Sequence, residues 1–124
     1  MGLMLGGGCA VQGPHPRALH YVDGELVYSR PATSASYEAY LRARLALSVE
    51  PPHLDVAQAE IELALKYDGR DPHLWTTQAE IAWRAGNDER ALAAVQRALA
   101  LRPGYPPAER MMAQLRGGER SVQR

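Results

Sequence analysis

The side chains able to do chemistry are few in this chain, and they are scattered. His15, His20, His53 and His73 share no spacing that would bring two imidazoles onto one metal ion, and the nearby Asp55 and Asp71 stand where helix N-caps want an acceptor. A single cysteine, Cys9, allows neither an internal disulfide nor a thiolate metal site. Serine, histidine and aspartate occur without a nucleophile signature around any of them. The run LGGGCA follows no strand and opens no helix, so it is no phosphate loop. The sequence therefore reads as non-enzymatic, with no catalytic residue, no cofactor and no metal.

What the residues do supply is small apolar packing material and a few rigid aromatics. Of 124 residues 46% are hydrophobic, yet Phe is absent and aromatics reach only 6%, which suits closely approaching helices better than a thick sheet sandwich. The length allows one domain. Fourteen basic and fourteen acidic residues cancel, so the net charge points to no nucleic acid. No apolar run approaches the ~20 residues needed to span a bilayer.

Along the chain, residues 1–17 are rich in Gly and Pro and read as a flexible leader or the remnant of a signal. Residues 18–33 follow, where Tyr21, Val22, Leu26, Val27 and Tyr28 flank Asp23-Gly24, a signal for a tight hairpin. A hairpin alone is marginal in water and must lie on helices or pair with another chain. Pro31 with Thr33, Ser34 or Ser36 then offers a stop and a helix N-cap. From there the period becomes helical. One segment ends at Pro51-Pro52 and a second at Gly69; a third starts on Asp71-Pro72 and stops at Gly86. Asn87 can cap a fourth, which ends at Pro103-Gly104, and a fifth covers 106–116 before a disordered tail at 117–124. The reading is an all-α fold behind a short hairpin, with repeats over 34–116.

The repeats emerge when the sequence is shifted by 34. Ala57, Ala59, Ile61, Ala64, Leu65 and Pro72 fall on Ala91, Ala93, Val95, Ala98, Leu99 and Pro106, and Ala79 falls on Ala113. A fixed period of this size with a helix-turn-helix in each unit means a solenoid. Residues 72–105 resemble the tetratricopeptide repeat family. Trp75 stands at the family's tryptophan, Ala79, Ala91 and Ala98 at its small positions, Gly86 at the inter-helix turn and Pro103 at the terminating proline. Residues 36–71 follow the pattern less well, with a loop about two residues longer at Pro51-Pro52 and Gly69 in the place of that proline. Residues 106–116 look like a half repeat, giving about two and a half units.

The resemblance implies that the first helix of each pair lines a concave partner-binding groove. By register its residues are Tyr37, Tyr40 and Arg44 from the first unit, His73, Thr76, Glu80, Trp83 and Arg84 from the second, and Arg110 and Gln114 from the half repeat. Family members that grip a C-terminal carboxylate use Lys and Asn on this face, where this chain has Thr76 and Glu80. Trp83 and the tyrosines are of the type that anchors interfaces, or else they pack against the hairpin.

At the other end of the chain, LMLGGGCA resembles the close of a bacterial lipoprotein signal, with Cys9 as the lipidation position; Gly6 replaces the usual aliphatic residue and no basic region precedes it. The expected function is a non-catalytic protein-interaction and assembly module in the bacterial cell envelope or outside the cell. Its partners are expected to be proteins, above all copies of this chain meeting through the end faces of the stack and the N-terminal segment. Membrane contact would come only through a lipid on Cys9. Met111, Met112 and Leu115 are expected to leave the C-terminal end face partly apolar, and Trp75 to be buried. The competing expectations are a monomeric cytoplasmic peptide adaptor and an accessory subunit of a larger complex.

Overall fold

The structure, a computed structural model, describes residues 17–22, 24–29 and 32–122. Cys9 and the rest of the leader before Arg17 lie outside the described residues. The chain divides into two compact units, residues 1–31 and 32–124.

In the first unit, β1 (Ala18–Val22) and β2 (Glu25–Ser29) pair antiparallel across a two-residue connection at 23–24. Gly24 takes φ +83°, a left-handed conformation that glycine adopts without steric penalty. Leu19 lies opposite Tyr28 and Tyr21 opposite Leu26. Cross-strand partners project from the same side of a sheet, and so do residues two apart on a strand. Two leucines and two tyrosines therefore share one face of the hairpin, and all four are exposed.

Among the described residues the second unit is five helices: α1 (Ser34–Ser48), α2 (Leu54–Tyr67), α3 (Pro72–Arg84), α4 (Asp88–Leu101) and α5 (Pro106–Val122). The starts follow local chemistry. Thr33 caps α1 by accepting from Ser36 N at 3.1 Å, Asp71 caps α3 through His73 N at 2.8 Å, and Asn87 caps α4 through Arg90 N at 3.1 Å. Asp55, read as a cap, instead lies in the first turn of α2, whose N-cap is His53 with no side-chain hydrogen bond. There the carboxylate acts on the positive end of the helix dipole rather than on a single N–H. Gly86 closes α3 at φ +78°, and Asn87 N reaches back to Ala82 O at 2.9 Å, the six-to-one bond of a Schellman stop.

α1 packs on α2 and α3 on α4, with α2–α3 and α4–α5 contacts joining the units. Burial repeats with the sequence period. Ala57 and Ala91, Ile61 and Val95, and Ala64 and Ala98 are all fully buried, whereas Ala59 and Ala93 are both exposed. The loop between α1 and α2 covers residues 49–53 and that between α3 and α4 covers 85–87, the two-residue difference expected from Pro51-Pro52. Alanines at 39, 43, 79 and 91 let helix backbones meet closely, and Ile61, Ile81 and Val95 fill the space between them. Ser36, also buried, donates to Ala64 O at 3.2 Å and ties α1 to the end of α2.

Two expectations at the C-terminal end change. α5 continues through Gly117 and Gly118 to Val122, where the sequence reading ends the repeats at 116. Met111 and Leu115 do not leave an apolar end face: both are buried in the core shared with α3 and α4, and Met112 packs beside them half-buried. The register explains the outcome. At the α5 positions matching Trp75, Ala79 and Ala82, which pack in the α3–α4 core, stand Glu109, Ala113 and Arg116, all exposed. α5 therefore caps the stack with a polar outer side, as terminal repeats require.

Candidate partner-binding groove

α1, α3 and α5, the first helices of their units, together line a concave cavity of about 380 Å³. Nine of the ten residues assigned to the groove by register meet there: Tyr40 and Arg44 from α1, His73, Thr76, Glu80, Trp83 and Arg84 from α3, and Arg110 and Gln114 from α5. Tyr37 does not. It stands nearly one turn before Tyr40 on α1 and lines a neighbouring cavity of about 130 Å³ with Tyr40 and His73. Thr77, Pro107 and Met111 complete the main cavity, and register alone had not named them.

The floor is built from the short side chains of α3. The Thr76 and Thr77 hydroxyls donate to Pro72 O at 2.8 Å and His73 O at 3.1 Å, turning back on their own helix and leaving methyl groups as lining. Aromatic rings form one end. His73 stands edge-on to Tyr40 at 4.9 Å between centroids, and its Nδ1 lies 3.3 Å from the hydroxyl of Tyr105. Tyr105 is itself buried, with the Arg102 guanidinium 5.1 Å from its ring centroid. A tyrosine between Gly104 and Pro106 gives no periodic signal of burial, so sequence reasoning missed it. At the other end Trp83, half-buried, rests on the α3–α4–α5 core while keeping part of its ring in the cavity. Trp83 packs on its own repeat core and lines the groove together.

Charge is distributed unevenly. Glu80 is the single carboxylate lining the cavity among the described residues, against Arg44, Arg84 and Arg110. Arg44 Nη1 donates to Glu80 Oε2 and Arg84 Nη2 to Glu80 Oε1, both at 2.7 Å. One acidic side chain thus pairs with two guanidiniums, from successive repeats, on the groove wall. Each guanidinium carries five N–H donors and Glu80 takes one from each, so most of their donor capacity remains. The groove has an excess of two positive charges and guanidinium donors to spare.

The tetratricopeptide repeat family model matches residues 72–115, which covers α3, α4 and the first part of α5. No curated protein and no solved structure matches the chain. With the five helices and their 34-residue period, the fold is that of a tetratricopeptide-like helical repeat.

Proposed function

Taking the tetratricopeptide repeat at residues 72–115 as its premise, we propose that this protein is a non-catalytic protein-interaction module whose groove holds an acidic segment of a partner. The observation that carries the reading is the set of three arginines around one glutamate in a cavity with Tyr40 and Trp83 at its ends. Charge fixes the sign of the partner and the aromatics supply anchoring surface. Titrating the chain into a labelled peptide alternating Glu with Leu, beside its Gln and Lys counterparts, tests it by fluorescence anisotropy. The Glu peptide should bind best, lose affinity steeply with salt, and lose at least tenfold with Arg84→Gln and Arg110→Gln together. Equal binding of the Gln peptide removes the acidic preference, and no binding of any peptide removes the groove reading.

A second reading is favoured by where apolar surface stays exposed. Leu19, Tyr21, Leu26, Tyr28, Tyr37, Leu41, Leu45, Val49, Val56 and Tyr67 are the large exposed hydrophobics among the described residues, and all precede α3. Such a concentration marks an interaction surface, and self-association is the use proposed for it. Localisation at the bacterial cell envelope is proposed on the resemblance around Cys9 alone. Mass spectrometry of the native N-terminus decides it, since a diacylglyceryl-modified Cys9 supports the anchor and an intact Met1 removes it.

A further inference from the structure

Two apolar faces stay exposed among the described residues, one on a sheet and one on a helix. The first is the hairpin face of Leu19, Tyr21, Leu26 and Tyr28, between 56% and 74% exposed. A two-stranded hairpin is marginal by itself and needs a helix or further strands against its apolar side. The second lies on α1. Tyr37, Leu41, Leu45 and Val49 follow one another at intervals of four along α1 and its C-cap, and they remain between 41% and 66% exposed. Residues four apart share a helix face, so this is a continuous stripe. The opposite side of α1, carrying Ala39, Ala43 and Leu47, is the one that packs into the repeat.

Resting on the self-association reading, we infer that the hairpin of one copy covers the α1 stripe of a second copy, head to tail. A sheet face without a helix and a helix face without a cover are each what the other lacks, and neither set of four contains a charge. At about 200 Å² per side chain, the two faces expose roughly 900 Å² in all before any rim is counted. A stable interface buries about 1,200–2,000 Å², so the counted area falls short of that range and places the contact among weak, reversible associations that concentration drives. The capped C-terminal end directs the contact to these two faces, because α5 offers no large exposed hydrophobic among the described residues. Two unlike surfaces on one chain give rings or open filaments rather than closed two-fold dimers.

The test uses the whole chain in reductant, which keeps Cys9 from linking copies, with sedimentation velocity across a hundredfold range of concentration. One variant, Tyr21→Thr with Tyr28→Thr, blocks the hairpin face, and another, Leu41→Gln with Leu45→Gln, blocks the stripe. All four positions are exposed, and circular dichroism checks that helix content matches the parent. If the second variant loses helicity, Leu45→Gln alone takes its place. The parent should grow in mass with concentration, each variant should stay monomeric, and an equimolar mixture of the two should form a dimer and stop there. A mixture that stays monomeric while the parent associates overturns the head-to-tail contact and leaves self-association standing. Dimers of either variant alone likewise overturn it in favour of an isologous contact. A parent that is monomeric throughout overturns self-association itself.

Discussion

Ala79 and Ala113 occupy the same position in successive repeats, 34 residues apart, but α3 has α4 packed beside it, whereas no helix follows α5 among the described residues. Ala79 is fully buried and Ala113 is exposed. Replacing each by leucine therefore separates the demand of helix contact from everything else about the position. At Ala79 three added carbons must enter the fully buried core it shares with Ala82, Ala91 and Val95. Overpacking costs about 1–3 kcal/mol, and a contact limited by backbone rather than by movable side chains belongs at about 3. With an m-value of about 1.5 kcal/mol/M, the urea midpoint of Ala79→Leu should fall by about 2 M. Ala113→Leu, like other surface changes, should stay within about 0.5 kcal/mol of the parent. The assay is urea unfolding followed by circular dichroism at 222 nm. Equal losses for the two variants, or a tolerated leucine at position 79, would refute the claim that small residues are there for helix approach.

Trp75→Phe removes the bond from Trp75 Nε1 to Gly69 O at 2.9 Å, which ties α3 to the loop before it; solvent can reach that carbonyl, so the loss should be about 1 kcal/mol by urea unfolding, and a loss above ~3 kcal/mol would show that the ring is core. Asp68 is held above the usual carboxylate range, first by burial and then by the charge of Asp71, while the Arg70 N–H opposes both. A raised folded-state pKa means that the ionised form weakens the fold and that this cost vanishes as the pH drops below the group's ordinary value. Asp68→Asn should consequently raise the urea midpoint at pH 7 and lose that advantage in acid; a pH-independent difference would contradict the burial argument.

Most of the repeat unit could be read from residue types, because its alanines, Trp75, Gly86 and Pro103 each answer a local steric demand. The groove was legible for a related reason. Once helix phase is known, residues at intervals of three and four on α3 must line one side, and His73, Thr76, Glu80, Trp83 and Arg84 do so. What escaped depends on tertiary context. Trp75 was expected to be buried, yet it is only half-buried, its ring edge reaching Gly69 O and its face 6.0 Å from the Arg97 guanidinium. The burial of Tyr105 comes from packing with Ala98 and Ala108, across the break between α4 and α5 where helical periodicity gives no guide. The continuation of α5 through Gly117 and Gly118 contradicts their propensity, which disfavours glycine inside helices by about 1 kcal/mol each. The inward side of Met111 and Leu115 could have been found from the register, since Thr77 and Ile81 stand at the matching positions of α3 and are also buried.

The polar side of α5 also decides how such a protein can lengthen. A duplicated unit appended after residue 116 would have to set its first apolar helix against Glu109 and Arg116, and it would find no seat. The same unit, residues 72–105, inserted directly after Tyr105 would meet α4 as α5 now does and would present a copy of α4 to α5. The one new junction, α4 against the copied α3, would have α2 against α3 as its counterpart in the chain. Growth of the array is thus permitted from within and refused at the tail, so α5 works as a terminator whose identity lies in two charged side chains.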